Sequence, residues 1–351
     1  MAAAQVNKRK RPYGKAINLS HGSGGKAMRD LVEGLILPAL GCELNSPLED
    51  QARLPISLWE SGGHMAFTTD SYVVDPLFFP GGDIGSLAIN GTVNDLAVGG
   101  AEPLFLSCGL ILEEGLLFTT LESVLSSMAQ AARSAGVTIV TGDTKVVPRG
   151  GADKLFINTA GIGRIPAGRQ LSLMAIQPGD RLLLNGYLGD HGAAILQARG
   201  DLALEAEIQS DCQPLHTVIA KLLTAAPNTR CLRDLTRGGL GTVLNEFAEG
   251  AGVSIRIHED AIPVRPVVRG ICELLGLDPL YLANEGKLLA VVPENEIEGA
   301  LAALRRDPAG EQAAIIGEVL PGPAGRVRLR SHFGGERLVD MLVGEQLPRI
   351  C

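Results

Sequence analysis

Carboxylates recur in this chain where aliphatic runs end, each beside glycine, threonine or another turn former. Asp70 and Asp75 stand in "TTDSYVVDP", Asp143 in "VTGDTK" and Asp190 in "YLGDHG". Asp83 and Asp95 lie in "GGDIGSLAINGTVNDLA", and Asp234 in "RDLTRGGLG". The aliphatic runs read as strands, and the Gly-Asp turns lead into segments with helical spacing. One such aspartate is ordinarily a turn or cap residue. Seven gathered at strand exits suit a divalent cation, because hard carboxylate oxygens take Mg2+ and Mg2+ in turn takes phosphates. The neighbouring glycines let backbone N–H groups approach the same phosphate oxygens.

A net charge of −8 fits that economy and argues against a nucleic-acid or anionic-membrane surface. Aromatics make up only 4% of the chain while glycine numbers 44, so the interior must be built on aliphatics and alanine. None of the six cysteines forms a C-x-x-C pair, so neither a zinc site nor a redox dithiol is supported. Cys108 in "LFLSCGLIL" and Cys272 in "VVRGICELLG" read as buried thiols. The basic opening "MAAAQVNKRKRPYGK" has no apolar core of a signal peptide, and no long uncharged apolar run follows. A cytoplasmic protein is expected, with no membrane and no nucleic-acid partner.

Helical spacing is present over 28–40 and 84–98, and over 119–135, where Thr119 and Glu122 fit a capping box and Gly136 a stop. "HMAFTTDSYVVDP" and "DKLFINTAGIGRI" read as strands, and "GVTIVTGDTK" as a buried one. A Pro/Gly-rich break follows at 166–180. Beyond it come strands in "DRLLLNGYLGD", "VSIRI" and "KLLAVV", and helices over 191–198, 213–225, 239–250, 266–275 and "ENEIEGALAALRR". Strands and helices mix without strict βαβ order, so the class is α+β with mixed sheets flanked by helices. The divisions are an N-terminal segment 1–42 with a glycine loop, a nucleotide-binding domain 43–168, a second α+β domain 169–333 and a flexible tail 334–351.

Four further features could carry chemistry. "HGSGGK" (21–26), just before a helix, offers Gly22, Gly24 and Gly25 as an anion-binding loop, although it lacks the Walker A spacing. Lys145, after Asp143 and Thr144 in "GDTK", is either a phosphate or proton partner or a surface ion pair. Glu285 in "LANEGKLLAVV" precedes a near-pure aliphatic strand. It is either a plain loop acid or a carboxylate at a pocket mouth whose pKa burial raises into a base's range. The chain closes on "GEQLPRIC", placing its most reactive side chain, Cys351, on an end held from one side only.

Taken together, "HGSGGKAM", "TTDSYVVDPLFFPGGDIG", "NGTVNDLAVGGAEPLFLSCG", "VTGDTKVV", "LGDHGAAIL", "RDLTRGGL", "ANEGKLL" and the terminal "PRIC" resemble one family in order along nearly the whole chain. It is the hydrogenase maturation carbamoyl dehydratase (HypE) family, within the aminoimidazole-ribonucleotide-synthetase-like superfamily of ATP-using enzymes. The resemblance implies a two-domain fold of that superfamily, ATP and Mg2+ as cofactors, and a homodimer joined through the N-terminal domains. It implies that a partner carbamoyltransferase loads Cys351, that the thiocarbamate is dehydrated to a thiocyanate, and that a scaffold complex accepts the cyanide for hydrogenase iron. By the same resemblance Lys145 and Glu285 handle protons with Cys351 as carrier. Asp70, Asp95 and Asp234 fall to the metal, and Asp83, Asn94, Asp143, Thr144 and the loop glycines to the nucleotide. The eight terminal residues, extended, reach roughly 26–29 Å, with Gly344 to bend and Pro348 to stiffen, so an exposed, mobile thiol is expected. The competing reading is phosphotransfer to a small acceptor, as in selenophosphate-synthetase-like enzymes. Those carry a cysteine or selenocysteine in the loop that here has Ser23.

Overall fold

Two sheets carry the molecule, and one helix joins them. The computed structural model describes residues 14–22, 26–41, 62–200, 208–341, 347 and 349–351. Gly24, Gly25, Gly344 and Pro348 lie outside the described residues. Two short helices, α1 (Lys26–Leu31) and α2 (Leu37–Ala39), flank a π-helical turn (Val32–Ile36), so the helix expected over 28–40 is present but wide at its centre. Then come β1 (His64–Tyr72), the small hairpin of β2 (Phe78–Phe79) and β3 (Gly82–Asp83), and α3 (Ile84–Val98). β4 (Glu102–Glu113), α4 (Phe118–Ala135), β5 (Thr138–Val147) and β6 (Leu155–Ile165) complete the first unit. Its sheet has the order β1-β6-β4-β5, with only the β4–β5 pair parallel.

The second unit runs β7 (Arg181–Leu184), α5 (Asp190–Arg199), α6 (His216–Ala225), β8 (Cys231–Asp234), α7 (Gly239–Gly250) and β9 (Ser254–His258). It continues with α8 (Pro266–Leu275), β10 (Leu288–Val292), α9 (Ile297–Arg305), β11 (Ala314–Leu320), β12 (Arg326–Arg330) and β13 (Glu336–Leu338). These strands form one sheet, ordered β13-β12-β9-β11-β7-β10-β8. β13 pairs with β12, so sheet pairing continues past residue 333 into the stretch read as tail. Among the described residues, no helix is long and apolar enough to cross a membrane.

α3 is buried on nearly every side, as a helix between two layers must be. Asp83 caps it, accepting from the N–H groups of Gly85 at 2.7 Å and Ser86 at 2.9 Å. One flank packs on α4 and the first sheet, while Ala97 and Val98 enter the core of the second unit. Its Asn90, Asn94 and Asp95 are thereby held at the junction. Cys108 and Cys272 are buried, as expected.

Two expectations are corrected. α4 begins at Phe118 after Leu117, with no side-chain cap; Thr119 and Glu122 lie within the helix. The N–H of Phe118 bonds instead to the carbonyl of Lys15, so an extended N-terminal segment does the capping. β5 is an edge strand, and most of its side chains are exposed or half-exposed rather than buried, because helices cover only the other face of its sheet.

Candidate active site

A cavity of about 240 Å3 opens at the junction, with Asp70, Asp95, Asp234, Glu285 and Cys351 in its wall. β1 carries Asp70, α3 carries Asp95, and β8 ends on Asp234. Two of the three carboxylates hold their protons more tightly than a free aspartate. Burial first, then the charges of Asp234 and Asp70, push Asp95 up to about 7, against a hydrogen bond from Thr68 Oγ1 at 3.1 Å. Burial likewise raises Asp234. Arg237 approaches Asp70 at 3.8 Å.

Such a wall of under-neutralised hard oxygens fits a divalent cation. Among the described residues, no three acidic, histidine or cysteine side chains converge closely enough to hold an ion alone. Mg2+ accepts that arrangement, since it keeps waters and takes one or two carboxylates plus substrate phosphates.

One consequence is measurable without nucleotide. The folded pKa of Asp95 is raised from 3.8 to about 7, so the folded state holds its proton more tightly. That contribution to stability is complete below the unfolded pKa and is lost as pH rises through the folded one. Asp95→Asn should flatten the fall in Tm between about pH 4 and pH 7. The variant's advantage over the parent should then plateau at higher pH. Calorimetric pH scans of both proteins check this; parallel curves would show the charge to be compensated in place.

Glu285 sits on a loop pinned from four sides. Asn284 Nδ2 donates to the carbonyls of Leu235 and Leu282, both at 2.9 Å, and its Oδ1 accepts from the Gly189 N–H at 2.8 Å. Asp211 accepts from the backbone N–H groups of Glu285 at 3.0 Å and Gly286 at 3.1 Å, and from Lys287 Nζ at 2.9 Å. This close approach requires glycine at 286, where a Cβ would overlap the Asp211 carbonyl oxygen. Asn94 Nδ2 donates to the carbonyls of Gln213 at 3.1 Å and Glu285 at 3.3 Å. The Glu285 side chain is buried rather than at a pocket mouth, and its Oε1 has no partner. Burial, with the charges of Asp211, Asp234 and Asp70, pushes its pKa well above the usual carboxylate range.

The chain's end meets this carboxylate. The Cys351 thiol donates to Glu285, and burial with that neighbouring charge pushes the thiol up as well. Arg349 takes a left-handed conformation (φ 53°), and its carbonyl accepts from the Asp75 N–H at 3.2 Å and Arg199 Nη2 at 2.8 Å. The Ile350 carbonyl lies 2.8 Å from His191 Nε2, and the Ile350 side chain enters the core of the first unit. Instead of the exposed thiol anticipated, the structure holds a docked one.

Lys145 and Asp143 lie elsewhere. They pair with each other at 3.2 Å, and their side chains are 65% and 64% exposed. The register explains why. Lys145 pairs with Ile111, and Ile111 with Phe156, whereas Asp70 pairs with Thr159. Phe156 and Thr159 are an odd number of residues apart, so in a pleated sheet they face opposite ways. Lys145 is thus on the helix-free face, and its edge strand is three strand spacings, roughly 14 Å, from β1. Thr144 faces inward and is buried. Asp83 is the α3 cap, Asn94 braces the Glu285 loop, and Gly22 closes a 3-10 turn (Leu19–Gly22). Asp190 faces Arg265 at 3.0 Å, away from the cavity.

Sequence reasoning passed over His191, Asp211, Asn284 and Lys287. Asn284 and Lys287 carried a signal, since polar groups entering an aliphatic strand must find buried partners. Asp211, in the aperiodic "QSDCQP", carried none.

Residues 48–165 match the family described as AIR synthase related protein, N-terminal domain, and residues 177–330 match its C-terminal domain. The chain is 56% identical over 337 residues to the carbamoyl dehydratase HypE of Rhodobacter capsulatus, spanning 95% of this chain and 98% of that protein. It resembles the crystal structure of the hydrogenase maturation protein HypE in complex with ATP, with a TM-score of 0.89 and 51% identity over 95% of this chain and 99% of that one. The HypE of a solved HypE–HypF complex aligns with a TM-score of 0.77 and 44% identity, over 89% of this chain and 99% of that one.

Proposed function

The chain belongs to the carbamoyl dehydratase HypE family, and from that premise we propose that it dehydrates a carbamoyl group on its own Cys351 to a thiocyanate, consuming ATP. The product is a cyanide donor for the iron of a nickel–iron hydrogenase. One observation carries this reading: the terminal thiol rests on a buried carboxylate inside an acidic cavity.

Expelling oxide from an amide is prohibitive near neutral pH, so the oxygen must first become a better leaving group. The carbamoyl oxygen attacks the γ-phosphorus of ATP, ADP leaves, and the oxygen then departs with that phosphorus as phosphate. The nitrogen gives up both protons as C≡N forms, and sulfur keeps its bond to carbon. Glu285 is the first acceptor. Its raised pKa suits it to take a proton near neutral pH, and its unpartnered Oε1 is a ready site for an N–H. The carboxyl is held by Asp211 and Asn94 through its backbone, so it needs no rearrangement to act. Asp70, Asp95 and Asp234 would hold Mg2+, which when bound screens the phosphate charge. Arg233 and Arg237 line the cavity as cations that can meet a phosphate oxygen.

Lys145 is the second proton-handling group in this reading, and it cannot reach Glu285 within its own chain. The reading therefore includes a homodimer. It is supported by the helix-free face of the first sheet, the face Lys145 shares, where Met65, Phe67 and Ile111 are 59%, 68% and 40% exposed. A carbamoyltransferase loads Cys351, a scaffold complex accepts the cyanide, and both act in the cytoplasm.

Intact-protein mass spectrometry tests the proposal. With carbamoyl phosphate, ATP and the loading enzyme, the chain should first gain a carbamoyl group at Cys351. That adduct should then lose the mass of one water, and only when ATP is present. ATP turnover that leaves the adduct unchanged and passes phosphate to another acceptor would favour the phosphotransferase reading.

A further inference from the structure

His191 and Asp211 lie outside the reacting groups just described, yet the side chains of both are buried and both act on them. His191 is 0% exposed, its ring in a T-shaped contact with Phe79. Its Nε2 meets the Ile350 carbonyl and its Nδ1 meets Ser210 Oγ, both at 2.8 Å. A carbonyl can only accept, so Nε2 carries the proton and Nδ1 accepts from the Ser210 hydroxyl. The same hydroxyl oxygen accepts from the Cys212 N–H at 3.1 Å. The next residue, Asp211, buries a carboxylate that is 3% exposed against an ammonium, Lys287, that is 7% exposed. Both oxygens of that carboxylate are used on the Glu285 loop. The strap is itself anchored, since the Ser210 N–H donates to the Pro80 carbonyl at 2.8 Å and Asn94 holds the Gln213 carbonyl. Consecutive residues of one loop therefore fix the carrier at one end and the base at the other.

We propose that the Ser210–Asp211 strap is a positioning device that couples docking of the C-terminal tail, through His191, to placement of Glu285. His191, Ser210 and Asp211 are positioning residues, acting through Ile350 and the Glu285 backbone. This rests on the carrier reading of Cys351. A buried ion pair spent on two backbone N–H groups is poorly explained as a source of stability alone, because desolvation offsets most of what such a pair contributes.

The test uses the full chain, with iodoacetamide labelling at Cys351 located by peptide mass, alongside single-turnover dehydration of the carbamoyl-loaded protein. His191→Ala should speed Cys351 labelling about tenfold and slow dehydration by a similar factor. Loading and the KM for ATP should be unchanged. His191→Gln, whose amide can still donate to the Ile350 carbonyl, should return both toward the parent. Asp211→Asn touches no tail atom, yet it should slow dehydration about tenfold and also raise Cys351 labelling about threefold. Labelling unchanged in His191→Ala overturns the docking role. Labelling unchanged in Asp211→Asn overturns the coupling. Loss of ATP binding or of loading in His191→Gln would assign the cluster to folding instead. Labelling needs no turnover, so failure of the carrier reading would appear separately, as a loaded parent protein that does not dehydrate.

Discussion

Glu285→Gln should accept a carbamoyl group on Cys351 as the parent does, then convert it to thiocyanate about 10²–10⁴-fold more slowly. The substitution keeps the shape and the backbone bonds to Asp211 and Asn94, so it isolates the missing proton acceptor. It should not unfold the chain, since the parent carboxyl is enclosed with one oxygen unpartnered and the neutral amide buries no charge in its place. The sign of the pH effect follows. Burial raises the Glu285 pKa well above 4.5, so the base form grows only as pH rises. The parent's single-turnover rate should therefore climb with pH, while the residual rate of the variant loses that limb. A variant with the parent's rate and profile would remove Glu285 from the chemistry.

Cys351→Ala should abolish both the adduct and the thiocyanate while leaving ATP binding in place. Cys351 bonds to Glu285 and packs on the core of the first unit, and alanine keeps the β-carbon of that packing. Its loss therefore removes the substrate anchor and little else. Nucleotide affinity by calorimetry and product by intact mass separate the two outcomes. Binding that disappears with the thiol would make Cys351 part of the nucleotide site.

Much of this site was legible before any coordinates. Asp70, Asp95 and Asp234 stand in separate stretches beside turn formers or aliphatic residues, and β1, α3 and the end of β8 bring them to one junction. Glu285 was legible because an acid before an all-aliphatic strand has few places to go. What the local pattern leaves out is topological. "GDTK" reads as a strand exit beside the other acids, but strand order and pleat send Lys145 to the far edge and the opposite face. Neither order nor facing is encoded in the local pattern. The α4 start was misplaced for a similar reason: the capping partner is Lys15, about a hundred residues upstream, and no local motif could announce it. Asp211 escaped because two of its three partners are backbone amides, which nearly every residue has.

The docked end also has an energetic reading. Burying Ile350 contributes roughly 1.5–3 kcal/mol, and the three hydrogen bonds to the last two carbonyls about 0.5–1.5 kcal/mol each. Ordering three residues costs about 1–2 kcal/mol apiece. These sums nearly cancel, so the terminus behaves as a latch close to balance, shut at rest yet opened by any visitor that grips it with a few kcal/mol. Reactive cargo would then stay shielded from water until a recipient arrives to claim it.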